Sequence, residues 1–157
     1  MESIGFLEFS SIALRPFDSG DCAFLIKRFY PCMSEAWAEE LICEWNQKSY
    51  QGSYFEMFAI LCDSQPVGRI SLYEREGAIS AGPEIIEEYR QKGVGYAALR
   101  LALDHAKNLG YAKATAQVRK NNTASIKLHE KCGFTRSGEC VTSRGNEAFL
   151  FEKDISS

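Results

Sequence analysis

The run Glu84-Ile85-Ile86-Glu87-Glu88-Tyr89-Arg90-Gln91-Lys92-Gly93-Val94-Gly95-Tyr96-Ala97-Ala98 passes from an apolar strand end, through a charged turn, into a helix opened by two glycines. The first turn of a helix has N–H groups without helical partners and carries the positive end of the helix dipole. Glycines there let a bulky anion approach the backbone and permit turns that aim successive N–H groups at one point. Arg90 and Lys92 add positive charge at the same place. The stretch therefore reads as a phosphate cradle, although GxG at a helix start also serves as a plain structural turn. The P-loop pattern GxxxxGK[ST] does not occur in the chain. A dinucleotide fingerprint would accept Ala98 as its third small residue, but the unit lies behind antiparallel hairpins and no acidic residue ends the next strand.

Outward from this run, a helix over 94–108 is closed by Gly110, and a strand follows over 113–118. On the other side, 55–62, 67–73 and 78–85 read as strands, joined by the turn Asp63-Ser64-Gln65-Pro66 and a short link over 74–77. Two successive hairpins imply an antiparallel meander. The strand–helix–strand unit over 78–118 makes its two strands parallel neighbours or near-neighbours. Nearer the N-terminus, Ile12-Ala13-Leu14-Arg15 is a short strand stopped by Pro16, and Asp18-Ser19-Gly20-Asp21 offers caps for a helix to about Tyr30. Ser34 caps a second helix over 35–46, with Trp37 and Trp45 read as its core side. A helix over 123–132 and strands near 135–142 and 147–152 complete the chain. The expectation is one domain, 1–157, of the α/β (α+β) type. Its mixed, mostly antiparallel sheet has about six to seven strands, flanked by about four helices.

Composition bounds the function. A chain of 157 residues suits one domain with room for a core, and 45% apolar with 25% charged residues excludes a disordered or collagenous chain. A net charge of −3 supplies no field to hold a polyanion, so no nucleic acid partner is expected. The longest clean apolar run, 57–62, is far short of the roughly 20 residues a membrane span needs. The N-terminal MESIGFLEFSS has no basic segment followed by an apolar one, so neither membrane nor export is expected. Cys22, Cys32, Cys43, Cys62, Cys132 and Cys140 form no CxxC pair and no metal-type cluster with His105 and His129. They read as reduced, mostly buried thiols of a cytoplasmic protein without a metal.

The second informative stretch is Asn122-Thr123-Ala124-Ser125-Ile126-Lys127-Leu128-His129-Glu130-Lys131-Cys132-Gly133-Phe134. Asn122 is a good N-cap and Gly133 a good left-handed stop. Positions 122, 125 and 129 fall within about 60° of each other around a helix, which gathers an amide, a hydroxyl and an imidazole on one face. Leu128 and Cys132 lie on an adjacent face suited to the core.

On these residues the chain resembles the GNAT superfamily of N-acetyltransferases. Arg90-Gln91-Lys92-Gly93-Val94-Gly95 matches its [RQ]-x-x-G-x-G/A pyrophosphate loop. The run from Asn122 to Phe134 is similar to its N-x-x-[SA]-I-x-L-Y-E-K-x-G-F signature, and Ile12-x-Leu14-Arg15-Pro16 to its opening strand. The resemblance implies an acetyl-CoA site between two parallel strands that splay apart. Pro83, Glu84 and Ile85 would offer backbone groups to the pantetheine arm. The loop from Arg90 and Gln91 through Lys92, Gly93, Val94 and Gly95 to Tyr96 would hold the pyrophosphate, with Asn122 and Ser125 near the thioester end. It also implies an N-acetyltransferase that moves acetyl from acetyl-CoA to a primary amine, of a small molecule or a peptide N-terminus, by direct attack in a ternary complex. A catalytically silent CoA-binding sensor is the alternative, and a homodimer is left open.

His129 stands where the family usually has a tyrosine proposed to protonate the departing thiolate. An imidazole N–H can take that role; otherwise solvent protonates the sulfur and His129 is a helix-face residue. Glu84 is the first candidate base, ahead of Glu76 and Glu35. Gln117 stands where family members that acetylate protein N-termini often have a glutamate. The base matters because an amine of pKa about 10.4 gives up about 4.6 kcal/mol on deprotonation at pH 7, and an α-amine only around 1 kcal/mol. The aromatics and glutamates of 30–55 suit a cationic acceptor. His105 reads as a packing residue of the 94–108 helix.

Overall fold

The computed structural model describes residues 11–156, so the reading of the first ten residues as carrying no export signal lies outside them. Strands β1 (Ile12–Pro16), β2 (Ser49–Tyr50), β3 (Ser53–Cys62), β4 (Gln65–Arg75), β5 (Ala78–Ile85), β6 (Lys113–Arg119), β7 (Thr135–Val141) and β8 (Glu147–Asp154) form one sheet. Its order is β1-β3-β4-β5-β6-β8-β7, with β2 beside β3. β2 has no counterpart in the sequence reading, because two residues are too few for an alternation to register. Among the described residues four α-helices accompany the sheet: α1 (Cys22–Arg28), α2 (Glu35–Trp45), α3 (Val94–Asn108) and α4 (Thr123–Lys131).

The meander is set by its turns. The β3–β4 and β4–β5 loops are Asp63-Ser64 and Glu76-Gly77, and all four residues have positive φ (49°, 73°, 54° and 84°). That is the handedness which matches the twist of the flanking strands. Alternation along the strands then sorts the side chains onto two faces. Ile70, Leu72, Ile79, Ala114 and Val118 pack with Val94, Ala98, Leu99, Ala102 and Ala106 of α3. Met57 and Ala59 point the other way, into a second cluster with Cys22 and Leu25 of α1 and Ala38, Ile42 and Trp45 of α2.

Three local expectations are corrected. The first helix stops at Arg28 rather than Tyr30, because Phe29 leaves the helical region at φ −126°. Trp37 is 69% exposed while Trp45 is buried, since the face that reaches the sheet is Ala38–Ile42–Trp45, not the four-residue series through Trp37. His105 keeps 42% of its side chain exposed and lies 3.5 Å from the buried Glu56 carboxylate, so it serves a polar contact besides its edge-on packing on Phe58. Of the cysteines, Cys22, Cys62 and Cys132 are buried and Cys32 and Cys43 exposed.

One glycine fixes the end of β5. Ile60 pairs with Gly68 and Leu61 with Pro66, so Val67 bulges out of the β3–β4 ladder. The Val67 carbonyl accepts from the Ile86 amide at 2.9 Å, which ties down the chain leaving β5. Gly68 itself faces Ile85 across the next ladder. A Cβ on Gly68 would lie 2.4 Å from the Glu84 carbonyl oxygen and 3.1 Å from the Ile85 Cα, both backbone atoms. Gly68→Ala is therefore expected to push β4 and β5 apart and to cost about 1–3 kcal/mol, as overpacking does. Thermal denaturation should record a Tm several degrees lower; an unchanged Tm would show that the two strands yield freely.

Candidate active site

Among the described residues, β5 and β6 are the one parallel pair in the sheet, and they pair only at Ile79 and Ala114. From there β5 stays on β4 through Ile85, while β6 follows β8 through Arg119. The β6-facing edge of Ala81 to Ile85 is left without a strand partner. At the point of parting the Ser80 hydroxyl donates to the Thr115 carbonyl at 2.9 Å, a side-chain bridge where the backbone ladder ends. Pro83, Glu84 and Ile85 lie along the opened edge.

The loop that follows is built by left-handed residues. Gln91 has φ 61° and Gly93, the N-cap of α3, has φ 89°. Gly93 supplies no side-chain cap, and the first amide bonded back into the helix is Ala97, to the Gly93 carbonyl at 3.1 Å. The amides of Val94, Gly95 and Tyr96 thus have no partner within α3 and mark its positive end. Gly95 is the meeting point of three elements: a Cβ there would touch Leu128 of α4 at 3.8 Å and Ile85 of β5 at 3.9 Å. Arg90 turns its Nε to the Ile85 carbonyl at 2.8 Å and so locks the loop to β5. Cations surround the loop's aromatics, with Lys92 Nζ 5.8 Å from the Tyr89 ring. Lys131 and Arg100 lie 4.4 and 5.7 Å from the ring of Tyr96. Together the unfilled amides, the left-handed glycine and the flanking cations fit a diphosphate.

α4 brings Asn122, Ser125 and His129 together as expected, but with their polar atoms partly committed. Asn122 Oδ1 caps the helix by accepting from the Ser125 amide at 3.1 Å. His129 is buried, edge-on to Phe134 at 5.0 Å and stacked on Phe151 at 6.0 Å. Its Nδ1 lies 2.8 Å from the Ser125 carbonyl oxygen. A carbonyl only accepts, so Nδ1 carries the proton and Nε2 of the neutral ring is an acceptor. Burial pushes the His129 pKa down, against a smaller upward pull from the Ser125 hydrogen bond. The donor role read from the sequence is thereby narrowed: Nε2 donates only when the ring is charged.

The remaining candidates separate. Glu84 faces Arg69, whose Nε donates to Glu84 Oε1 at 3.0 Å. The same guanidinium donates to the Tyr30 hydroxyl at 2.6 Å and stacks 4.3 Å from the ring of Phe29. Arg28, at the end of α1, pairs with Glu88 in the turn that enters the loop, and this holds the Glu88 carboxyl down to about 2. The Tyr30–Arg69–Glu84 chain and the Arg28–Glu88 pair therefore join the α1–α2 connection and the end of α1 to the two ends of the segment over 84–88. Sequence reasoning missed Arg69 and Gly68. An isolated glycine within a strand was the available signal for the second; Arg69 gave none. Glu35 is exposed in the first turn of α2, and Glu76 sits at a hairpin tip, at the other end of β5 from the loop. Gln117, with its amide oxygen turned toward Arg75, accepts from both Nη atoms at 2.8 and 3.2 Å.

Among the described residues, a mixed sheet whose single parallel pair parts beside a glycine-opened helix marks a split-sheet α/β fold. The family is direct: residues 12–135 match the acetyltransferase (GNAT) domain model, and the chain belongs to that family. It is 29% identical over 100 residues to the SPbeta prophage-derived uncharacterized N-acetyltransferase YokL of Bacillus subtilis (strain 168). That match covers 61% of this chain and 56% of YokL, so the chain spans about half the length of this relative. Among solved structures it is similar to RimL, a ribosomal L7/L12 alpha-N-protein acetyltransferase in complex with coenzyme A. The TM-score is 0.79 at 17% identity, covering 94% of this chain and 96% of that one. It is also similar to the spermidine N-acetyltransferase of Vibrio cholerae in complex with CoA and spermine. Here the TM-score is 0.76 at 21% identity, covering 94% and 97%.

The His129 ring also makes stability depend on pH. Its folded pKa lies below the unfolded value near 6.5, so the unfolded chain takes up the proton first as the pH falls. Stability contributed by the neutral ring is full above about pH 6.5 and declines below it. Urea denaturation of the native chain should therefore show a steeper loss between pH 7.5 and 5.5 than His129→Tyr, which has no group titrating there. Equal slopes would mean that the ring is hydrated.

Proposed function

We propose that the chain transfers acetyl from acetyl-CoA to a primary amine, of a small molecule or a peptide N-terminus, in a ternary complex in the cytoplasm. The observation that carries the reading is the split of β5 from β6 beside the amides of Val94, Gly95 and Tyr96. Acetyl-CoA, when bound, supplies the activated thioester. The chain supplies position. The amides of 94–96, with Gly93 and Gln91 shaping the turn and Arg90 and Lys92 adding charge, hold the diphosphate. The opened edge over Pro83, Glu84 and Ile85 holds the pantetheine arm by backbone hydrogen bonds. Asn122 keeps its Nδ2 as donor toward the thioester end once Oδ1 has capped α4, with Ser125 beside it.

His129 is the proposed donor to the sulfur. Because its neutral Nε2 accepts, the ring takes up the proton that the attacking amine loses and hands it to the departing thiolate, a relay that suits a base held neutral by burial. Glu84 anchors Arg69, and a base role for Glu84 would first require that ion pair to open.

Gly93→Asp puts negative charge and bulk where the diphosphate lies, at a φ that aspartate adopts more readily than most residues. Calorimetric titration with acetyl-CoA should show affinity reduced by roughly a hundredfold, about 2.7 kcal/mol, with Tm nearly unchanged. Unaltered affinity in the folded variant would remove this loop as the cofactor site.

A further inference from the structure

On the sheet face away from α3, a cleft of about 420 Å³ lies over β5, β6 and β8 around the Ile79–Ala114 contact. Its floor is Ser80, Thr115 and Gln117, which alternate along the strands with the α3-facing Ile79, Ala114 and Val118. Arg75, Glu76, Lys113 and Glu152 stand around it. We propose that this cleft seats the acceptor and that the acceptor nitrogen is an α-amine, of an amino acid or a peptide, rather than an amine of a polycation. The inference rests on the acetyl-transfer reading above and names its substrate class.

The charge around the cleft decides between the classes. Its lining holds two cations and two carboxylates, so it presents no negative surplus. Lys113 and Glu152 face each other at 3.1 Å. Arg75 is held by the amide of Gln117, which is neutral and leaves the guanidinium charge uncancelled by that partner. A polyamine carrying several positive charges would meet Arg75 and Lys113 with no excess of acid to offset them. An α-amino-acyl unit brings one amine together with carbonyl or carboxylate oxygens, and guanidinium donors are matched to those oxygens.

Proton chemistry points the same way. Glu84 is engaged by Arg69 and Glu152 by Lys113, while Glu76 stands on the rim of the cleft. An acceptor that is already partly neutral asks the least of such a carboxylate. At pH 7 about one α-amine in seven is neutral, against about one in 2,500 for a lysine-type amine. In the transfer, the nitrogen lone pair forms the N–C bond to the acetyl carbon. The C–S bond breaks with its electron pair on sulfur, and the proton lost from nitrogen ends on the CoA thiol, giving an amide and free CoA.

The test measures CoA release with saturating acetyl-CoA and four acceptors: the tripeptide amide Ser-Ala-Leu, free serine, Nα-acetyl-lysine and spermidine. The tripeptide or serine should exceed spermidine and Nα-acetyl-lysine in kcat/KM by roughly tenfold or more, with a pH profile rising to a break near 8. Which of the two α-amines is used separates a peptide from a free amino acid as the source. The double variant Arg75→Glu, Lys113→Glu should lose α-amine turnover and gain spermidine turnover, while acetyl-CoA affinity stays as in the native chain. Preference of the native chain for spermidine or Nα-acetyl-lysine would overturn the α-amine assignment and leave acetyl transfer standing. No CoA release with any acceptor, despite bound acetyl-CoA, would overturn both.

Discussion

Among the described residues a single parallel contact, Ile79 beside Ala114, sits in a sheet that is otherwise antiparallel, and the arrangement of the site follows from it. α3 crosses between the two strands and packs its alanine-rich face, Ala98, Ala102 and Ala106, on the side bearing Ile79 and Ala114. Small residues bring that helix close to the sheet. Beyond the contact, each strand is claimed by an antiparallel partner, β5 by β4 and β6 by β8, whose ladders run the length of the strands. Twist then separates two strands that share one pair, because their neighbours rotate away from each other. The gap is thus a product of the topology, and the N-terminus of α3 necessarily opens at its mouth, since α3 begins where β5 ends.

Around that gap the charged side chains act as ties rather than as reagents. Arg90 holds the Ile85 carbonyl, Arg69 joins Glu84 to Tyr30, and Arg28 joins Glu88 to α1. The last two cross from the helical layer on one face of the sheet to the strand and turn that border the gap. Surface ion pairs contribute little stability individually. Their consequence here is geometric: the α1–α2 connection, with Phe29 and Tyr30, is fixed relative to the strand edge on which an acyl group would lie. Arg69, with its side chain largely buried against Phe29, is the best placed of these to transmit position.

Much of this was legible in the residues because it is local. Gly93 and Gly95 before an amphipathic run, Asn122 three residues before Ser125 and Ser34 three before Trp37 each act within one turn, so their spacing discloses their geometry. What escaped depends on partners distant in sequence. The need for glycine at 68 arises from the Glu84 carbonyl, brought there by a bulge at Val67. The commitment of Glu84 depends on Arg69 across the ladder and Tyr30 from another layer. Trp37 and Trp45 are chemically alike and eight residues apart, yet the pitch of α2 against β3 buries only one. The His129 tautomer was within reach of the sequence, for a residue four positions along a helix faces the carbonyl of Ser125, but the burial that keeps the ring neutral comes from Phe134 and Phe151.

The central claim is that the opened edge of β5 and the first turn of α3 together hold the CoA portion of acetyl-CoA. Amide hydrogen exchange with and without acetyl-CoA tests it directly. The account predicts added protection at the amides of Val94, Gly95 and Tyr96 and along residues 82–85, with none at the β4–β5 turn at the far end of β5. Protection confined to other segments, or spread evenly over the chain, would contradict it.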